Sequence, residues 1–78
     1  MIRELDTVVL RHDFDEYGLK EGDIGAVVHC YSDGNAFEVE FLTAEGRTIA
    51  VLTLTSSDIR LMSKKEILHV REIAGQTA

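Results

Sequence analysis

Between Phe37 and Phe41 the chain alternates without a break: Phe37, Val39 and Phe41 fall on one side of an extended backbone, Glu38 and Glu40 on the other. Carboxylates belong in water, so the Phe-Val-Phe side faces a core. Glycine-punctuated turns lead into this strand and its neighbours. Tyr17-Gly18-Leu19-Lys20-Glu21-Gly22-Asp23 precedes the apolar run Ile24–Tyr31, Ser32-Asp33-Gly34-Asn35 precedes Ala36–Leu42, and Thr43-Ala44-Glu45-Gly46-Arg47 precedes Thr48–Leu54. Short strands joined by tight turns are the signature of a small antiparallel barrel.

The remaining strands complete a set of five. Thr7-Val8-Val9-Leu10 is a β-branched first strand, and Ile59-Arg60-Leu61 a short last one after the turn at Ser56-Ser57-Asp58. Arg11 to Leu19 reads as a polar loop whose Phe14 and Tyr17 fold back over the barrel mouth. Gly25 inside the second strand signals a bulge or a close backbone approach. Asp33-Gly34 is a tight-hairpin signal in which both central positions adopt positive φ. Gly46 fits a longer hairpin loop with a left-handed residue.

The fourth strand differs from the third. Ile49, Val51 and Thr53 occupy one face and Ala50, Leu52 and Leu54 the other, and neither face carries a charge. A strand in a small antiparallel barrel has one wet side, so the second apolar face calls for a cover. Beyond Met62 the character changes. Ser63-Lys64-Lys65-Glu66 matches a capping box, Ile67, Leu68, Val70 and Ile73 approximate one helical face, and Gly75 is a stop. A short C-terminal helix is the expectation, with a further strand over Ile67–Val70 as the alternative. A helix this short is marginal alone and has to dock. Residues 1–61 are therefore expected to form the barrel and 62–78 an appendage. The expected partner-binding surface is Ala50, Leu52 and Leu54 together with Ile67, Leu68 and Val70, meeting a second copy or another protein.

A single core is all that 78 residues can bury, with about 60% of the unfolded surface hidden on folding. No apolar stretch approaches the length of a membrane span, and Met1–Asp6 lacks a signal core, so the cytoplasm is expected. Cys30, alone, has no disulfide partner in the chain and reads as a small apolar strand residue. Acids outnumber bases 14 to 8, for a net charge of −6, and Asp13, Asp15, Glu16, Glu21 and Asp23 crowd the first long loop. Affinity for nucleic acid comes mainly from neutralising phosphates with Lys and Arg, so that class of partner is disfavoured.

No catalytic constellation emerges. His12, His29 and His69 sit in different elements without metal-ligand spacing. Asp13-Phe14-Asp15-Glu16 lacks the ligand count and the glycine of a calcium loop. Ser32, Ser56, Ser57 and Ser63 are turn or cap residues with no nucleophile elbow around them, and Gly22-Asp23-Ile24-Gly25 lacks the Lys and Ser/Thr of a phosphate loop. The expectation is a non-enzymatic protein with no cofactor, no metal and no small-molecule substrate.

Leu5–Leu10, Tyr17–Val28, Phe37–Phe41, Ile49–Leu54 and Asp58–Arg60, in that order, resemble the domain of unknown function 4926 family, small bacterial proteins with an SH3-like barrel. The resemblance covers about Leu5 to Leu61 and implies a mainly β, five-stranded SH3-like antiparallel barrel, without catalytic residues to carry over. It also implies a partner or antitoxin arrangement with a protein encoded nearby, for which the acidic loop Asp13–Asp23 would face a basic site. Similar barrels in translation proteins supply a third, nucleic-acid-binding alternative, which the charge opposes.

Overall fold

In a computed structural model, residues 1–73 are described, and the alternating segments become the strands β1 (Thr7–Leu10), β2 (Ile24–Cys30), β3 (Phe37–Leu42), β4 (Thr48–Leu54) and β5 (Ile59–Leu61). They form one antiparallel sheet in the order β4-β3-β2-β1-β5. Ile59 from one edge and Leu52 and Leu54 from the other enter the same apolar cluster, so the sheet curls around its interior. Among the described residues β4 and β5 share no ladder, and the curl is not closed by hydrogen bonds.

Phe37, Val39 and Phe41 are buried and point into that interior, as the alternation requires. Val8, Leu10, Val27 and Ile59 meet them there. The loop between β1 and β2 contributes as well. Asp15–Tyr17 forms a 3-10 turn ended by Gly18 at φ +72°, and Phe14 pairs with Leu19 across it. This places Leu19 in the core with Phe14 packed against it, while Tyr17 stays exposed.

Gly25 is the close approach and not the bulge. A Cβ there would stand 2.7 Å from Val39 Cγ1 and 2.8 Å from Phe41 Cε1. The bulge in β2 lies three residues on: Val27 faces Val39 and His29 faces Glu38, leaving Val28 without an opposite residue. The turn at Asp33-Gly34 also differs from the expected tight hairpin. Only Gly34 has positive φ, Gly34 N–H donates to the Tyr31 carbonyl, and Asp33 Oδ1 accepts from Asn35 N–H. The side chain of Asp33 thus organises a longer loop, closed by Tyr31 N–H to the Ala36 carbonyl. Gly46, at φ +88°, takes its expected left-handed conformation in the β3–β4 loop.

The expected C-terminal helix does not form in the described part of the tail. Ser63–Glu66 is a single turn, and residues 67–73 are neither helix nor strand, so the alternative strand over Ile67–Val70 is absent too. Half of the capping box is nevertheless made, because Glu66 Oε1 accepts from Ser63 N–H at 2.7 Å. Glu66 is simultaneously held by Arg60, and a non-helical chain covers more distance per residue than a helix does. That reach takes the tail back to the β1–β2 loop. The expected stop at Gly75 lies outside the described residues.

Replacing Gly25 by alanine sets a methyl group against Val39 and Phe41, where neither side chain has room to retreat from the core. The expected cost is about 1–3 kcal/mol. Thermal unfolding followed by circular dichroism should register it as a fall in Tm of at least ~4 °C.

Candidate functional site

Register decides which residues of β4 are available. Phe37 pairs with Leu54, Val39 with Leu52 and Phe41 with Ala50. Directly opposed residues in an antiparallel pair share a face, so these three β4 side chains join the Phe-Val-Phe side. Leu54 is 2% exposed and Leu52 9%, and Ala50 is partly buried against the same cluster. The expectation that Ala50, Leu52 and Leu54 form an uncovered surface is corrected: they are core. The outward residues are Val51 and Thr53, with Val51 48% exposed. Ile49 is the extra residue of a bulge, since Leu42 faces Thr48 and Phe41 faces Ala50, and it turns partly inward.

The tail half of the expected surface is accessible. Ile67, Leu68 and Val70 are 93%, 66% and 88% exposed. Their segment is fastened at both ends. Near its start, Arg60 grips Glu66 through two hydrogen bonds, Nη1 to Oε1 at 2.8 Å and Nη2 to Oε2 at 2.6 Å. Near its end, Arg71 Nε donates to Asp23 Oδ1 at 2.9 Å, and Nη2 donates to Asp23 Oδ2 and to the Gly18 carbonyl. Ile73 then lies beside Gly18. Between tail and sheet runs an open groove of about 980 Å³, with Ile24, Leu42 and Ile49 on the sheet side and Leu68, Val70 and Ile73 on the tail side.

Electrostatics hold this arrangement. The Arg60 guanidinium, helped by the Ser63 amide, lowers the Glu66 carboxyl to about 2. Partial burial alone would raise Asp23, but Arg71 and the Lys20 amide outweigh it and hold the carboxyl below its ordinary value. The acidic loop is likewise partly satisfied from within, with Lys20 Nζ 2.8 Å from Asp15 and 3.8 Å from Asp13. Asp13 Oδ1 also accepts from Glu21 N–H. Outside the tail, His12 Nε2 lies 2.8 Å from Asp58 Oδ1, and Asp58 caps the β4–β5 turn by accepting from Thr55 N–H. Hydrogen bonding to Asp58 raises the His12 pKa above 6.5.

The interior offers apolar contact and little else. Among the described residues no polar or charged side chain is buried, and no three His, Cys, Asp or Glu side chains converge as a metal-binding group. Cys30 is partly buried against the core, with Sγ 3.9 Å from the Ile2 carbonyl. No described helix is long and apolar enough to cross a membrane. Sequence reasoning missed Asp23 and Arg71 as the tail's anchor. They are 48 residues apart and belong to no local pattern.

Comparison with known proteins gives one match: the family model described as Domain of unknown function (DUF4926) covers residues 4–61. No curated protein and no solved structure matches the chain.

A carboxyl with depressed pKa contributes stability above its ordinary range and loses it as pH falls through the folded value. The Asp23–Arg71 anchor should therefore hold at neutral pH and release in acid below pH 3.8, the ordinary Asp value. Arg71→Gln should release it at neutral pH, seen as faster tryptic cleavage at Lys64 and Lys65, with a change in sheet stability of about 1 kcal/mol or less. For His12 the sign is opposite: its contribution is present below pH 6.5 and is lost as pH rises through the raised folded pKa. Proton NMR of the imidazole should show a midpoint above 6.5, returning toward 6.5 in Asp58→Asn.

Proposed function

The chain belongs to that family, and we propose that it is a non-enzymatic protein-interaction module. Its frame is an SH3-like, incompletely closed barrel over residues 1–61, and residues 62–78 form the appendage that meets a protein partner. The strand order supports the barrel reading, because both edges of the sheet serve one core. The observation that carries the function is the tail. Ile67, Leu68 and Val70 lie in the open on a segment whose two ends are clamped by Arg60–Glu66 and Arg71–Asp23. Clustered apolar side chains in water are unfavourable, and removing them from it gains about 25 cal/mol per Å² of apolar area buried. Clamping lowers the entropy lost when the segment meets its partner.

The antitoxin version, with the acidic loop facing a basic site, is the weaker reading. Lys20 and Arg71 already engage Asp13, Asp15 and Asp23, which leaves less anionic surface to offer. A nucleic-acid partner is weaker still at a net charge of −6.

Co-purification from the native source with the products of neighbouring genes tests the proposal. The wild-type chain should retain a protein that the triple variant Ile67→Ser, Leu68→Ser, Val70→Ser loses while keeping its fold. Equal retention by both chains would remove the tail from the interface, and retention by neither would refute a tail-bound partner.

A further inference from the structure

The two edges of the sheet are built differently. β5 is three residues long, carries Arg60, and is followed directly by the Ser63–Glu66 turn that Arg60 grips. Short length, charge and a covering segment are the usual means by which proteins protect a strand edge from pairing with another chain. β4 lacks these three, and the bulge at Ile49 is its one interruption. It is seven residues long, and it lies within Thr48–Ser57, a run of ten residues without Asp, Glu, Lys, Arg or Pro. In an antiparallel ladder alternate residues direct N–H and C=O away from the neighbouring strand. Among the described residues no backbone group outside β3 meets those of β4.

We propose that β4 pairs with β4 of a second copy of the chain, antiparallel about a two-fold axis at Val51, joining two sheets into one. This deepens the interaction-module reading by naming a partner, and its surface, the edge of β4, borders the tail's groove at Ile49. Val51 is the middle residue of Thr48–Leu54, so the pairing is symmetric and uses the whole strand. Val51 meets Val51 of the second copy, Ala50 meets Leu52, and Ile49 meets Thr53. Each contact is apolar or β-branched, the combination that stabilises cross-strand pairs.

Charge selects a second copy over an approach elsewhere on the surface. Each chain carries a net charge of −6, and the uncharged run of β4 lets two copies meet there without opposing like charges. The nearest acids, Glu38 and Glu40, lie one strand back on β3, and their carboxylates already accept from the Thr53 and Thr48 hydroxyls. Across the dimer the two Glu40 residues, each opposite Val51, are separated by three strand spacings, about 14 Å. That exceeds the Debye length of about 8 Å at physiological salt.

Sedimentation velocity of the full chain at about 100 μM tests the proposal against three variants. The wild type should sediment at twice the 8.7 kDa chain mass. Val51→Lys, whose side chain points outward, should be folded by circular dichroism and sediment at the single-chain mass. Val51→Glu should do the same, and an equimolar mixture of the two should recover the dimer as Lys meets Glu across the axis. A monomeric wild type overturns the inference. So does a wild-type dimer that Val51→Lys leaves intact, or a mixture that stays monomeric. If the tail variant Ile67→Ser, Leu68→Ser, Val70→Ser dissociates the dimer and Val51→Lys does not, the partner reading stands and the β4 edge is excluded. Loss of the co-purifying protein with an intact β4 dimer separates the two surfaces in the other direction.

Discussion

Contact between the Val39–Phe41 layer of β3 and the bare backbone of Gly25 is the constraint on which the rest of this fold depends. Neighbouring strands ordinarily keep their side chains apart by a full Cβ, and here a Cβ has no space. With Gly25 in place, Phe41 packs close against β2 and is buried within the shared core. Residues from both edges of the sheet, Leu52 and Leu54 on one side and Ile59 on the other, then close around it. A chain of this size without an internal disulfide has only this one core to stabilise it.

The core also determines what is left outside. Once β4 is registered against β3, its even-numbered apolar residues are consumed by the interior, which leaves Val51 outward on β4 and Ile67, Leu68 and Val70 in the open on the tail. The tail is not loosely appended. Arg60 and Arg71 secure its two ends to the fold, and Asp23, which also accepts from the Lys20 amide within its own turn, becomes its anchor. Lys20 and Arg71 reduce the anionic character of the β1–β2 loop, so charge that looks available for a partner along the chain is partly neutralised within it.

Much of the fold was legible because it is local. Alternation in Phe37–Phe41 reports burial directly, and all five strands follow from β-branched runs bounded by turn residues. The inward face of β4 was not legible from its turn: a regular hairpin closed by Leu42 and Thr48 would place Val51 opposite Val39, and only the bulge at Ile49 shifts the register by one and brings Leu52 there. Reading β4 by itself, where both faces are apolar, gave the opposite answer. The helix failed for a related reason. Glu66 does accept from the Ser63 amide as in half of a capping box, but it has a stronger partner in Arg60, and a short helix has too little intrinsic stability to compete.

By itself the sequence determined the number of strands and, to within a residue or so, their extent, the burial of the Phe-Val-Phe face and the left-handed turn at Gly46, because periodicity and glycine act over a few residues. Only the tertiary structure decided the rest: Gly25 as a point of contact in place of a bulge, the inward side of β4, the course of the tail to Asp23, and β4 as the open edge. Each of these depends on pairing between segments distant along the chain, and such pairing is settled by the shape of the shared core and by single ion pairs, which leave no periodic trace in the residues that make them.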